Sequence, residues 1–260
     1  MIGAMQIGVY GLGRFGAFWA DLLAETFKVC GYSRNPDRIF PDRVKRVSLD
    51  DLYNCSVLFL CNSISSMEEV LTEMAPRLKP GTLVIDTCSV KVYPLGLMER
   101  LLPEHTEILG THPMFGPDSG RNGVTGLPIV LCPGRVGDDH YIFWKDRFRN
   151  MGLTVQEMTA DEHDREAAYT QGITHFIGRT LNELNLHPSA IGTAGYTRLL
   201  DIIRQTCNDP WQLFLDLQKY NPYTSSMRQD LHRGLEKMLS TFDSIESLGD
   251  LNGGNSFKEN

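Results

Sequence analysis

A glycine-rich turn near the amino terminus constrains the fold more than any other segment. Residues 6–10 are an apolar run that predicts a strand, residues 11–16 read Gly-Leu-Gly-Arg-Phe-Gly, and a helical pattern over 17–26 precedes a second strand at 28–32. In this context the first glycine makes a tight turn, the second lets backbone approach a pyrophosphate, and the third lets helix pack on strand. The segment predicts a dinucleotide-binding βαβ unit whose helix amino terminus faces the phosphates. The expected cofactor-contacting residues of the turn are Gly11, Leu12, Gly13, Arg14, Phe15 and Gly16.

The end of the second strand indicates which cofactor the unit takes. An NAD-binding unit places Asp or Glu there for the ribose 2′-hydroxyl, but this strand ends without an acid before Asp37. Ser33 can donate to a 2′-phosphate and Arg34 can pair with it. We therefore expect NADP, with NAD as the alternative, and a surface arginine is the competing interpretation of Arg34. Asn62, at the end of a later buried strand, is also expected at the cofactor.

Strand-like runs continue to alternate with helical patterns through the first part of the chain. Further strands are expected at residues 57–61, 82–85, 106–109, 129–132 and 154–158. Such alternation is typical of a doubly wound parallel sheet. We predict an α/β fold class with a Rossmann-type dinucleotide-binding domain over residues 1–158.

The pattern changes after residue 158. Thr159 and Glu162 form a capping box that begins a helical run to about residue 186, and the later segments are helical as well. We expect an all-helical second domain over residues 159–247. Residues 248–260 are polar and glycine-rich, which predicts a disordered tail.

Residues 110–120 form a second stiff turn, with three glycines and two prolines, directly after a predicted strand. Such a run cannot continue a helix or a central strand. Open α/β sheets place ligand chemistry at the carboxyl ends of their strands, and the polar cluster at residues 86–91 would border the same crevice. His112 is the residue of this turn that titrates near neutral pH, which makes it the candidate general base. The alternative is a structural histidine on a surface loop.

Charge and cysteine usage exclude several classes of partner. The net charge is −7, which disfavours nucleic acid and anionic membranes. No apolar run reaches the length of a membrane span, and the first ten residues lack a secretion signal. Six scattered cysteines without a CxxC pair indicate reduced thiols in a cytoplasmic protein without a metal site.

Together these motifs resemble the prephenate/arogenate dehydrogenase family. The resemblance rests on the two turns, the 86–91 cluster, His175-Phe176, and Arg204 five residues before Asp209-Pro210. It covers nearly the whole chain in order, and His-Pro-Met-Phe-Gly-Pro is its most specific part. It implies oxidative decarboxylation of the small molecule prephenate with hydride transfer to NADP, in tyrosine biosynthesis. Arogenate is the alternative substrate. It also implies a homodimer formed through the helical domain and a stand-alone enzyme without a fused chorismate mutase.

The resemblance also assigns roles to individual residues. His112 corresponds to the base that takes the hydroxyl proton, and Ser89 to the serine that hydrogen-bonds the hydroxyl and the histidine. Arg204 matches an arginine for a substrate carboxylate, and His175 a histidine near the pocket. Asp118 is a candidate for the substrate side chain, where a carboxylate would favour the ammonium of arogenate.

Two other interpretations share this architecture. The β-hydroxyacid dehydrogenases also join a Rossmann domain to a helical domain, but they rely on a lysine in the helical part. No lysine occurs here between Lys145 and Lys219, which counts against them. A non-catalytic NADP-binding protein would have no reason to combine Ser89, His112 and Arg204.

Overall fold

The computed structural model describes the backbone of residues 5–253 and the side chains of residues 5–244. Its eight strands are β1 Gln6–Tyr10, β2 Lys28–Tyr32, β3 Val44–Arg46, β4 Val57–Leu60, β5 Leu83–Asp86, β6 Glu107–Pro113, β7 Pro128–Pro133 and β8 Thr154–Glu157. They form one sheet in the order β3-β2-β1-β4-β5-β6-β7-β8. The helices are α1 Arg14–Leu23, α2 Leu49–Leu52, α3 Met67–Met74, α4 Val92–Leu101, α5 Asp138–Asn150, α6 Ala160–Ala167, α7 Ile173–Asn182, α8 Ala194–Asn208, α9 Trp211–Tyr220 and α10 Thr224–Gly253. The expected α/β class, a Rossmann-type sheet followed by helices, is confirmed.

The sheet is mixed rather than parallel throughout. β6 and β7 pair antiparallel, with His112 opposite Val130, whereas the other neighbouring pairs are parallel. A parallel pairing needs a long crossover, usually a helix. The glycine- and proline-rich connection after Pro113 forms turns instead, so the chain returns beside β6 in the opposite direction.

The central strands are buried on both faces, which explains their continuous apolar runs. Phe59 of β4 belongs to the cluster beneath α1 and α5, while Leu58 and Leu60 belong to the cluster beneath α3 and α4. Trp19 of α1 and Trp144 of α5 both contact the Phe59 ring, at centroid distances of 6.0 and 5.1 Å. These aromatic contacts anchor the helix that follows the glycine turn.

The second half of the described chain is helical, and no strand follows β8 within residues 158–253. The expected capping box is present: Thr159 Oγ1 accepts from the Glu162 backbone N–H, and the Glu162 carboxylate accepts from the Thr159 N–H. The helical run after it is not uniform, because a π-helical turn over Ala168–Gly172 separates α6 from α7. α10 continues through Gly253, past the predicted start of the tail, and residues 254–260 lie outside the described residues. Within the described residues, no helix combines the length and apolar character needed to cross a membrane.

Candidate active site

A cavity of about 560 Å³ lies between the sheet and the helices that follow it. Its sheet side is formed by the glycine turn, the residues after β4 and β5, and the end of β6. Its helical side is formed by the π-helical turn, α7 and the α8–α9 connection. The cavity therefore lies at the carboxyl edge of the strands, where α/β sheets bind ligands.

The glycine turn has the geometry of a phosphate-binding turn. Gly11 has φ +93°, a left-handed conformation that favours glycine. A Cβ on Gly16 would lie 2.1 Å from the Gly11 carbonyl oxygen, so any other residue would separate helix from strand. Gly13 has open space where its Cβ would be, with no described atom within 4 Å, and it begins α1 without a side-chain cap. Free backbone N–H groups there fit a dinucleotide pyrophosphate. Asn62 lines the cavity beside the turn, and its Oδ1 is buried without a described partner.

At the end of β2, the side chains of Ser33 and Arg34 make local contacts and do not line the cavity described above. Ser33 Oγ accepts from the Asn35 N–H at 3.2 Å, and Arg34 pairs with Glu69 at 3.4 Å on the surface. A smaller cavity of about 320 Å³ lies beside the glycine turn, and Arg38 lines it whereas Ser33 and Arg34 do not. Arg38, which the sequence reasoning missed, is a second cation at this strand end. Arg34 lies four residues before it in the chain and does not line this cavity, whereas Asp37 does.

His112 is the penultimate residue of β6, so it lies in the strand just before the turn, and it is 3% exposed. Burial lowers its pKa well below the ordinary value of 6.5; the ammonium of Lys91, and any positive charge on His163, lower it further. The imidazole is therefore neutral at neutral pH and can accept a proton. Ser89 Oγ is buried in the same cavity and has no hydrogen-bond partner among the described residues. The expected Ser89–His112 hydrogen bond is thus not formed, and the hydroxyl is left to meet a ligand.

His112 instead contacts His163, which in turn contacts Asp164; the sequence reasoning missed both residues. His112 Nδ1 lies 2.8 Å from His163 Nε2, and His163 Nδ1 lies 2.8 Å from Asp164 Oδ1. All three side chains are at most 3% exposed. His163, Asp164 and Ala167 are the buried residues of α6, and no motif in the sequence marked the two polar ones.

Lys91 fixes the strand ends on which the site is built. Its ammonium is fully buried, pairs with Asp86 and donates to the Thr111 carbonyl at 2.5 Å. The contact joins the end of β5 to the end of β6. Because a buried charge without its partner is costly, this pair holds the strand next to His112 in place and does not line the cavity.

The π-helical turn sets the helical wall of the cavity. π-helical turns shift the phase of a helix and occur frequently at functional sites. Here Thr170 and Gln171 of the turn line the cavity together with Thr174 and His175 of α7. Gln171 Oε1 and His175 Nδ1 are both buried without a described partner. Burial, aided by the charge of Arg179, lowers the pKa of His175 to about 4, so this imidazole is neutral.

Two carboxylates line the far end of the cavity. Asp216 accepts three close hydrogen bonds: from the Ser65 backbone N–H and hydroxyl, both at 3.0 Å, and from Gln212 at 2.7 Å. Asp209 has looser contacts, with Oδ1 3.4 Å from Arg14 and Oδ2 3.8 Å from His175 Nε2. Burial raises the pKa of Asp209, which Arg14 opposes. Asp209 is therefore the carboxylate with capacity left for a ligand.

Two predicted substrate residues do not reach the cavity. Arg204 is on α8, but its side chain is 76% exposed and pairs with Asp201 at 3.1 Å. Consecutive helical residues point about 100° apart, and the neighbour Gln205 lines the cavity instead. Asp118 pairs with Arg14 and accepts from Asn208 at 2.5 Å, so the guanidinium holds it outside the cavity. In the single chain, neither side chain lines the cavity.

Comparison with known proteins relates the chain to one enzyme family. The prephenate dehydrogenase nucleotide-binding domain profile matches residues 29–143, and a TYRAAT1-like C-terminal domain profile matches residues 180–247. Arogenate dehydrogenase 1, chloroplastic, of Arabidopsis thaliana is 36% identical over 90% of this chain, which spans 38% of that relative. Arogenate dehydrogenase 2, chloroplastic, of the same organism is 34% identical over 94% of this chain, which spans 69% of it.

Solved structures share the fold. Synechocystis arogenate dehydrogenase superposes with a TM-score of 0.67 at 20% identity, covering 96% of this chain and 98% of that one. Prephenate dehydrogenase from A. aeolicus, in complex with hydroxyphenyl propionate and NAD+, superposes with a TM-score of 0.70 at 17% identity, covering 96% and 97%. At these identities the likeness concerns architecture alone.

Proposed function

The chain belongs to the prephenate/arogenate dehydrogenase family, and we propose that it oxidatively decarboxylates a cyclohexadienol with a nicotinamide cofactor as the hydride acceptor. The observation that carries this proposal is the neutral, buried imidazole of His112 in one cavity with the glycine turn and the unpartnered hydroxyl of Ser89. The reaction needs a base, a hydrogen-bond donor and a dinucleotide-binding site, which His112, Ser89 and the glycine turn supply.

His112 is the base in this proposal. As hydride leaves the carbinol carbon for the cofactor, the hydroxyl proton passes to His112 and a ketone forms. The ring carboxylate then leaves as carbon dioxide, the electrons of the broken C–C bond pass through the ring to the ketone oxygen, and the resulting phenolate regains the proton from His112. The ring becomes aromatic, so the step is downhill and the site needs little stabilisation of a carbanion. Ser89 donates to the substrate hydroxyl and orients it, which explains a buried hydroxyl that is otherwise unpartnered.

The cofactor is held by the glycine turn and Asn62. When bound, the nicotinamide supplies the hydride acceptor. The glycines of the turn allow close approach, the backbone N–H groups of Arg14, Phe15 and Gly16 in the first turn of α1 face the phosphates, and Asn62 has a free buried oxygen. We propose NADP rather than NAD, since Ser33, Arg34 and Arg38 supply a hydroxyl and two guanidinium groups after β2. The first acid, Asp37, comes five residues past the strand end and lines the smaller cavity beside Arg38.

Asp209 favours arogenate over prephenate as the substrate. The two differ in the side chain, which carries an ammonium in arogenate and a ketone in prephenate. The described cavity lining contains the carboxylates of Asp209 and Asp216 and one guanidinium, that of Arg14, which is already paired. An ammonium gains from an under-used carboxylate, whereas a ketone does not. Prephenate, which the sequence interpretation favoured, is the second candidate.

The test is a set of initial rates with arogenate and prephenate, each with NADP and NAD. We expect the highest kcat/KM with arogenate and NADP. Asp209→Asn should lower kcat/KM for arogenate by about ten- to a hundredfold, the loss of a charge-assisted contact of roughly 1.5–3 kcal/mol, and spare prephenate. Asp201→Asn, an exposed aspartate on α8, is the matched control. Better turnover of prephenate by the unaltered enzyme would reject the substrate assignment, and no turnover of either would reject the reaction.

Several expectations about organisation remain proposals. We retain a boundary near residue 158 between a cofactor domain and a helical substrate domain. Dimerisation through the helical domain is supported by exposed apolar side chains on α10 such as Leu235, Leu239 and Phe242. A cytoplasmic location rests on the cysteine usage, and the two Arabidopsis relatives are named as chloroplastic.

A further inference from the structure

We propose that His163 and Asp164 are positioning residues that hold His112 in one tautomer, with the proton on Nδ1 and the free lone pair on Nε2. The inference rests on the proposed function in taking His112 as the base. It assigns a role to two buried residues that do not line the cavity.

The carboxylate of Asp164 sets the direction of the chain of hydrogen bonds. Oδ1 accepts from the Lys91 backbone N–H at 2.7 Å, and Oδ2 accepts from the Val92 N–H at 2.9 Å. These N–H groups begin α4, where a carboxylate is favoured by the free backbone donors. Backbone N–H groups can only donate, so the Asp164 oxygens act as acceptors. His163 Nδ1, which is 2.8 Å from Oδ1, must therefore carry a proton.

The proton positions follow along the chain. A neutral His163 with its proton on Nδ1 has a lone pair on Nε2. His112 Nδ1 lies 2.8 Å from that atom and must donate to it. A neutral His112 then has an unprotonated Nε2, which makes no hydrogen bond to any described residue. The opposite tautomer would place two lone pairs face to face at 2.8 Å and leave Nε2 unable to accept a proton.

The same chain stabilises the product of proton transfer. When His112 accepts the hydroxyl proton it becomes an imidazolium, and its Nδ1–H already points at His163. His163 in turn donates to a carboxylate, so the positive charge is spread toward Asp164 through buried contacts. The other charged groups near His112 are Lys91, whose ammonium disfavours the imidazolium, and Asp86, which pairs with that ammonium. The aspartate of serine proteases holds its histidine in a similar way.

The first experiment needs no turnover. Nitrogen NMR of the histidine side chains in the full chain distinguishes protonated from unprotonated ring nitrogens. We expect His112 with a protonated Nδ1 and a bare Nε2 above its pKa. In Asp164→Asn the side-chain amide can donate to His163 Nδ1, which reverses the chain, so His112 Nε2 should become protonated. A wild-type His112 with its proton on Nε2 would overturn the proposal.

The second experiment uses two variants at position 163. Gln offers an oxygen acceptor near the position of Nε2, whereas Leu offers none. We expect His163→Gln to keep kcat within about tenfold of wild type and His163→Leu to lose roughly a hundred- to ten-thousandfold, as for a base in the wrong tautomer. The acid limb of the rate profile should shift to lower pH in His163→Leu, because the imidazolium has lost its acceptor, while the KM for cofactor stays unchanged. His140→Leu, which breaks a histidine–carboxylate contact of 2.9 Å outside the cavity, is the control.

Equal loss in the Gln and Leu variants, or an acid limb that does not move, would mean that His163 only fills space. Asp164 also caps α4, so circular dichroism of Asp164→Asn is needed, and the two position-163 variants decide the matter if that variant does not fold. The expected tautomer in a protein that oxidises neither substrate would reject the proposed function and leave the positioning role standing.

Discussion

Replacing His112 with asparagine removes the proposed base and keeps a polar side chain of similar size. His112 is 3% exposed, so bulk water cannot readily take its place in the cavity. Loss of a positioned base lowers turnover by about 10²–10⁴, equivalent to roughly 2.7–5.5 kcal/mol of barrier. We expect a loss toward the upper end of that range, because the variant also leaves His163 without its hydrogen-bond partner.

The lowered pKa of His112 determines where activity should fall in the pH profile of the unaltered enzyme. Burial lowers the pKa of His112 below its ordinary value of 6.5, so the base is ready at neutral pH and is protonated only as the pH falls well below 6.5. The acid limb of kcat/KM should therefore lie below pH 6.5, with a plateau above it. In His112→Asn that limb should disappear from the residual activity.

The assay is stopped-flow or steady-state formation of reduced cofactor from pH 4.5 to 9, with cofactor affinity measured separately by fluorescence. His232→Asn, an exposed histidine on α10 that pairs with Glu236, is the matched control and should keep the wild-type profile. Turnover in His112→Asn within tenfold of wild type, or an acid limb that persists, would refute the assignment and make His175 the next residue to test.

Two further predictions concern the cofactor and acid stability. Arg34→Ala should raise the KM for NADP by about ten- to a hundredfold, through loss of a phosphate contact of roughly 1.5–3 kcal/mol, and leave the KM for NAD unchanged; preferred use of NAD by the wild type would contradict it. His175 has a folded-state pKa of about 4 against an ordinary 6.5, so below pH 6.5 protons bind the unfolded chain first and stability falls until about pH 4. His175→Gln should remove about 3 kcal/mol of that loss, which urea unfolding at pH 7 and pH 4.5 would detect; an unchanged pH dependence would show that His175 is not buried in neutral form.

Local patterns were sufficient to predict the elements that build the cofactor side of the site. The strand, glycine turn and helix around Gly11 and Gly16 are contiguous in sequence, and their chemistry depends on residues close together in the chain. His112 could be found for the same reason, since it belongs to a segment of unusual composition after a strand-like run. The structure extends that strand, β6, through Pro113, so His112 lies in the strand and not in the turn that follows it. The antiparallel β7 was missed because strand periodicity contains no direction, and the deciding fact was the absence of a crossover helix after Pro113.

The helical side was harder to predict because it depends on how the helices dock. Asp164 meets Lys91 and Val92 across 73 and 72 residues of chain, and no local pattern announces such a contact. A motif match at Arg204 fixes a position along α8 but not which side of the helix faces the cavity, and here Gln205 lines the cavity while Arg204 is exposed. The π-helical turn adds a further shift of phase that a regular helical pattern does not reveal.

Arg14 joins the sheet side of the cavity to its helical side through weak, partly exposed contacts. From the first turn of α1 its guanidinium reaches the Asn208 carbonyl at 3.3 Å and the Asp209 carboxylate at 3.4 Å. With side chains 36% and 27% exposed, such a pair contributes about 1 kcal/mol or less and weakens as salt screens it. This contact between the two sides of the cavity is therefore weak, and we expect that raising the ionic strength speeds the exchange of spent for fresh cofactor. The buried Lys91–Asp86 pair is screened much less by salt. We therefore expect the strand ends next to His112 to stay in place when salt weakens the Arg14 contacts.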